Sequence, residues 1–435
     1  MITSAPVCFC SMLQKLLRHN TFLILWCVIA AFGTYLCTYA FRKPFNAGTY
    51  SDYVLWGVGY KSILIISQMV GYVMSKYIGI KLISELQPAR RIIMIVGLIG
   101  FSELALIGLG VCPHPWNFVF MFFNGLPLGL IFGIIFSYLE GRRFTEMLSV
   151  GLGISMILGS GILKSLYFFI RDFFVLSEFW VPAVTGLMSI PFLALFVWML
   201  SQIPKPTKND MTMRVERLPM VRSEKLQLLS SFGIGLFCMV AINALSTVCR
   251  DFRDNFMVEL TLDIGIDSPM NIFYKVEFLI SVVVLLSISI FSFIKSNARS
   301  FAWMHVLICF GIITLGSSAL MYSSGLISGL TWLIMSGMGI FLSYIPTQSI
   351  YFDRFIATFR VKANAGFLIY LCDSAGYTCS MGILIYKELF SPNLSWLKVV
   401  LTMNITIAII SIILLMTAFY YFFKKKYDSR AIFIG

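Results

Sequence analysis

Charge is what this chain has least of. Only 12% of its 435 residues are Asp, Glu, Lys or Arg, about half the share of an ordinary soluble domain. Histidine is scarcer still: His19, His114 and His305 lie far apart and never at ligand spacing from a cysteine or carboxylate. No metal site is expected. No CxxC pair occurs. Nine of the ten cysteines fall in the N-terminal tail or in apolar stretches, and only Cys112 sits at an expected loop. They read as small packing residues, not as a disulfide framework. Ser/His/Asp and Cys/His sets, paired catalytic carboxylates and GxxxxGK after a strand are all missing. No enzyme and no cofactor are expected.

Apolar side chains fill the space. The chain is 59% hydrophobic and 15% aromatic, with a mean hydropathy of +0.88. That is too apolar for a water-soluble domain and the opposite of a disordered chain. Apolar stretches near 21–41, 54–75, 92–111, 116–139, 148–170, 180–201, 227–249, 270–294, 300–323, 329–351, 363–386 and 395–423 are each near the ~20 residues that cross a bilayer as a helix. The expected fold is all-α, a polytopic membrane protein of twelve transmembrane helices in two pseudo-symmetric six-helix bundles. The first stretch follows a short basic tail without a small-residue cleavage site, so it reads as an anchor and not a removable signal.

The net charge of +13 is a matter of topology. With the N-terminus inside, most basic residues fall in inner loops and tails, among them Arg90, Arg91, Arg142, Arg143, Lys76, Lys81 and Lys424 to Lys426. Few fall on the outer side (Arg42, Lys43, Arg171, Arg250, Arg253, Lys387, Lys398). Such a bias places both termini in the cytoplasm of a cell-membrane protein and removes the case for a nucleic-acid partner. Residues 202–226, with six basic and three acidic side chains and three prolines, form a polar linker. It divides the chain into an N-terminal bundle (1–201) and a C-terminal bundle (227–435).

This 6+6 layout resembles the major facilitator superfamily, in which the substrate site lies near the midplane between the halves. Glu140 to Glu146 after span 4 and Asp353 to Arg360 after span 10 echo one another, which suits a duplication or two ordinary basic loops. Gly71 to Lys81 is similar to a degraded form of the superfamily's loop 2–3 motif, with Ser75 where its aspartate would be. The end of span 1, Tyr35-Leu-Cys-Thr-Tyr39-Ala-Phe-Arg42-Lys43-Pro-Phe-Asn46, resembles the first helix of the organophosphate:phosphate antiporters. Span 7 carries Arg250 at the matching place. The resemblance implies that Arg42 and Arg250 bind a substrate phosphate. Two features of that branch are absent: Gln68 follows Ser67 where a lysine is expected, and span 5 has no histidine. The Arg42-Lys-Pro-Phe45 and Arg250-Asp-Phe-Arg253 segments also resemble an uncharacterised bacterial major-facilitator-like group.

Helical geometry points to the same residues. Tyr35, Thr38, Tyr39, Arg42 and Asn46 share one face of span 1, and Asn243, Ser246, Thr247, Arg250 and Asp254 one face of span 7. Polar stripes avoid lipid and turn to the bundle interior, and the guanidinium fork suits an oxyanion. Snorkelling of Arg42, Lys43, Arg250 and Arg253 to the outer interface is the rival reading. Lys164, one turn from Ser160, is a further substrate-site candidate. Asp373, flanked on its face by Tyr370 and Tyr377, is a candidate for proton coupling or for a structural pair with Lys275. Glu103 is either protonated or paired with Lys61. Asp251 and Asp254 are candidates to hold the arginines when the site is empty. The glycine-rich runs of spans 5 and 10 read as helix-packing surfaces. The expected function is secondary transport of a small, anionic (phosphorylated or carboxylated) solute by a monomer in the lipid bilayer. The alternatives are a transporter-like solute sensor and a proton-coupled carrier of a non-phosphorylated solute.

Overall fold

A computed structural model describes residues 16–17, 19–84, 87–139, 145–204, 222–266, 270–361, 363–391 and 394–432. Twelve long helices organise them: α1 (Asn20–Ala40), α2 (Tyr60–Ser84), α3 (Arg91–Val111), α4 (Phe118–Leu139), α5 (Thr145–Phe174), α6 (Val181–Ser201), α7 (Arg222–Asn255), α8 (Met270–Ser289), α9 (Asn297–Ser323), α10 (Gly329–Ser349), α11 (Ala365–Phe390) and α12 (Trp396–Ile432). Eleven are long and apolar enough to cross a membrane by themselves. The twelfth is α2, whose Ser62, Ser67, Gln68, Ser75 and Lys76 dilute its apolar character. The protein is a polytopic all-α membrane protein.

Helix neighbours repeat with an offset of six. Helix α1 packs on α5 and α6 as α7 packs on α11 and α12. The α2–α4, α3–α4 and α3–α6 pairs return as α8–α10, α9–α10 and α9–α12. The two sets meet through α2–α11 and α5–α8, pairs that exchange under the same offset. Two related bundles facing one another are the direct consequence. Because each holds six spans, the start of α1, the end of α6 and the start of α7 share one end of the molecule, called here the linker end. The other is the distal end.

Span 2 begins later and runs further than its hydropathy suggests. Val54–Leu55 (β1) and Val58–Gly59 (β2) form an antiparallel hairpin. Trp56 and Gly57 both have positive φ, 54° and 77°, the conformation a tight two-residue turn needs. Helix α2 then continues to Ser84, so Gly71 to Lys81 is helix and not a loop. Lys76, expected on the inner surface, is buried inside. What carries the helix onward is close packing against α4. A Cβ on Gly71 would lie 2.2 Å from the Phe122 carbonyl oxygen, and one on Gly125 would lie 2.1 Å from that of Gln68. Glycine lets the backbones touch. The 140–144 half of the expected duplicated loop lies outside the described residues. Its counterpart is a short helix, Tyr351–Phe359, closed by Arg360 in a left-handed conformation. Most of the 202–226 linker (205–221) and the tail 1–15 also lie outside, while Arg222 already opens α7.

Candidate functional site

The last turn of α1 is capped by the bundle it belongs to. Asn124 Nδ2 donates to the Phe41 carbonyl at 3.0 Å, and Gln68 Nε2 donates to the Arg42 carbonyl at 3.1 Å and to Asn124 Oδ1 at 2.7 Å. These amides satisfy carbonyls that the helix end leaves open. They fix Arg42 and Lys43 at the bundle interface. Pro44 then starts a tight turn, Pro44–Ala47, that aims Asn46 Nδ2 at Asn255 Oδ1 of the other bundle, 2.8 Å away.

From there Arg42 turns inward. It is 8% exposed, and Arg250 at the equivalent place on α7 is 9% exposed. Both donate to one atom, the Tyr377 hydroxyl of α11: Arg250 Nη2 at 3.0 Å and Arg42 Nη2 at 3.4 Å. Each guanidinium also lies over a tyrosine ring, Arg42 over Tyr72 at 4.0 Å and Arg250 over Tyr344 at 4.4 Å, a favourable cation–π geometry. Arg250 is neutralised by Asp251, with Nη2 to Oδ1 at 2.8 Å. Among the described residues no carboxylate pairs with Arg42, and its Nε has no hydrogen-bond partner. The two side chains border a shared space of about 20 Å³ with Tyr39, Met156, Phe341 and Tyr377, room for little more than a water molecule. Neither arginine reaches outward as a snorkelling side chain would.

Carboxylates and lysines close the distal side of this space. Asp254 accepts from Lys164 Nζ at 2.6 Å and is also bonded by Lys43 and Ser160, all three from the first bundle. Asp254 therefore holds lysines, not arginines. Arg253 binds Glu277 of α8 at 2.7 Å. Further out, Lys61 pairs with Glu259 at 2.6 Å and Ser62 donates to Glu388 at 2.7 Å. Lys387, expected at the outer surface, is buried against Glu388 and the Trp396 ring. Around the space sit Arg42, Lys43, Lys164, Arg250 and Arg253 against Asp251, Asp254 and Glu277. Five cations less three anions leave two positive charges.

On the linker side, Asp373 accepts from Lys76 Nζ at 2.8 Å and from Gln348 Nε2 at 2.9 Å. Its partner is not Lys275, which is exposed on α8 with its ammonium 6.0 Å from the centre of the Tyr274 ring. Glu103 does not meet Lys61 either. Its carboxyl is buried beside Gly186, and among the described residues neither oxygen has a hydrogen-bond partner. Asn243 bonds Thr347 and Gln348, and Thr247 bonds the Asn243 carbonyl. Both are behind the lining, as is Tyr35, which packs edge-on against Tyr39 and Phe132. Sequence reasoning missed Lys76, Tyr72 and Tyr344 as members of the site. It knew Tyr377 only as a neighbour of Asp373. The usable signal was the tyrosine content of α2 and α11 at the level of the arginines.

Residues 44–426 match the family of unknown function DUF5690. The chain belongs to that family. Among curated proteins, no sequence matches it. Solved structures are similar in fold. An autoinhibited POT-family peptide transporter aligns with a TM-score of 0.56 and 11% identity, over 90% of this chain and 96% of that one. A D-xylose–proton symporter aligns at 0.54 and 13%, over 89% and 96%. A bacterial homologue of the human drug peptide transporters PepT1 and PepT2 aligns at 0.57 and 10%, over 92% and 98%. At such identities the likeness establishes a shared, major-facilitator-like fold.

Proposed function

We propose that this DUF5690 protein is a secondary transporter that moves a small anionic solute across the cell membrane by alternating access of its two bundles. The observation that carries the reading is Arg42: a guanidinium about nine-tenths buried, without a carboxylate, beside Arg250 and sharing one acceptor with it. Unpaired charge inside a membrane protein is costly and is retained where a ligand completes it. A phosphate or carboxylate placed between the two forks accepts charge-assisted bonds from both. The surplus of two positive charges supports an anion, and the fold shared with peptide and sugar transporters supports alternating access. Tyr39 and Lys43 complete the seat, while Lys164 and Asp254 answer to its occupancy. The site is contained in one chain, consistent with a working monomer, and the basic bias of the expected inner loops supports cytoplasmic termini.

Uptake into proteoliposomes is the direct test. A panel of inorganic phosphate, glycerol phosphate, sugar phosphates and small carboxylates, with and without a pH gradient, should yield at least one transported anion. Arg42→Ala should then weaken its binding by about ten- to a hundredfold, since each charge-assisted bond contributes roughly 1.5–3 kcal/mol. Arg42→Lys should restore binding only in part, because an ammonium lacks the fork. Uptake of neutral solutes alone, or indifference to Arg42→Ala, would falsify the anion reading.

A further inference from the structure

We infer that the Tyr377 hydroxyl is a built-in stand-in for the substrate: it lies in the anion seat between the two arginines, and a phosphate-type oxyanion binds by replacing it. The inference rests on the transporter reading above and deepens it at the same site.

Three observations carry it. Among the described residues, the hydroxyl is the atom that both guanidiniums address, at 3.0 and 3.4 Å, which is where an oxyanion oxygen would be drawn. The free space beside it, about 20 Å³, is too small for a phosphate, so an arriving anion must displace something. Arg250 keeps Asp251 and a face on Tyr344, and Arg42 keeps a face on Tyr72; among the described hydrogen-bond partners of the two forks, the shared hydroxyl is the uncharged one, and it withdraws without stripping a charge pair. A phenol oxygen is a weaker acceptor than an oxyanion, so the exchange favours the anion. No covalent step is involved.

Displacement has a mechanical side. Tyr377 and Asp373 lie one turn apart on the same face of α11, and both contact the first bundle, Tyr377 through Arg42 and Asp373 through Lys76 at 2.8 Å. With the Ser62–Glu388 bond, they tie α11 across the interface at three levels. Anion entry releases the middle tie and leaves the other two. Tyr377 is thus a positioning residue that competes with substrate, distinct from one that merely lines the site.

The test is equilibrium binding of inorganic phosphate to the purified full-length protein, with Tyr377→Phe compared to wild type. Phenylalanine keeps the ring against Tyr72 (centroids 4.7 Å apart) and removes the competing hydroxyl, so the dissociation constant should fall by about tenfold or more, the weight of one hydrogen bond to a charged group. A constant unchanged or raised overturns the inference while leaving the transporter reading intact. A second readout uses wild-type protein alone. Phosphate should change the near-ultraviolet tyrosine absorption as the phenol loses its cationic donors, and Tyr377→Phe should abolish that change. Its persistence in the variant, or its absence from a wild type that binds phosphate, also overturns the inference. If wild type and Arg42→Ala alike bind no phosphate, the anion seat itself fails and the inference goes with it.

Discussion

The two ends of the bundle interface are held in different ways. At the distal end Lys43, Lys164, Ser160, Asn46, Lys61 and Ser62 of the first bundle reach Asp254, Asn255, Glu259 and Glu388 of the second. Toward the linker end, among the described residues, one buried ion pair crosses, Lys76 to Asp373. Many partly redundant ties form a closure that a single loss weakens. One tie forms a lock that a single loss removes. The structure therefore represents the protein with its distal end firmly shut, and an opening at the linker end would have the fewest bonds to break.

The strongest challenge to that contrast is Asp254→Asn. It strips the shared partner from two buried lysines, and an uncompensated buried charge costs about 3–5 kcal/mol. A large drop in the unfolding midpoint in detergent is expected, together with thiol labelling of a cysteine placed at Asn255 in the variant but not in the parent background. A distal end that stayed sealed would mean its remaining ties suffice.

Next in size is Asp373→Asn, which leaves Lys76 facing a neutral amide. If Asp373 carries a proton during transport, gradient-driven accumulation should vanish while solute exchange remains measurable. A double change, Lys76→Met with Asp373→Leu, should destabilise less than either single change, as is usual when both members of a buried pair go. Retained accumulation in Asp373→Asn would confine the pair to a mechanical role.

Glu103→Gln should do least. The carboxyl lies away from both ends of the interface and its oxygens have no hydrogen-bond partner among the described residues, so an isosteric neutral group should alter the midpoint by less than about 1 kcal/mol equivalent. A large loss in either stability or transport would place Glu103 among the residues whose charge matters.

Much of this architecture was legible because a bilayer imposes a length and an apolar composition on each span, and both survive in the sequence. Arg42 and Arg250 emerged from the 3.6-residue period of their own helices. What periodicity carries no trace of is the partner across the interface. Lys76 looked like a loop lysine because its helix is diluted by serine and glutamine. Lys275 looked available to Asp373 because only the tertiary structure turns it outward. Asp254 looked like a partner for arginines until the approach of α5 brought Lys164 to it. The cap on α1 was hidden in plain view: Gln68, a departure from the lysine of a similar family, supports the Arg42 backbone instead of adding charge.

Helix α2 has a consequence for how the protein is made. Presented singly to a translocon, a segment with Lys61 near its start, Lys76 in its interior and several hydroxyls and amides partitions poorly into lipid. Its polar side is covered only when α4 is in place, pressed so close that Gly71 and Gly125 bring backbone to backbone, while Lys76 waits for Asp373, synthesised some three hundred residues later. Biogenesis must therefore hold this segment in a protein-lined or hydrated setting until most of the chain has emerged. The residue that locks the finished protein is the one that makes its assembly order matter.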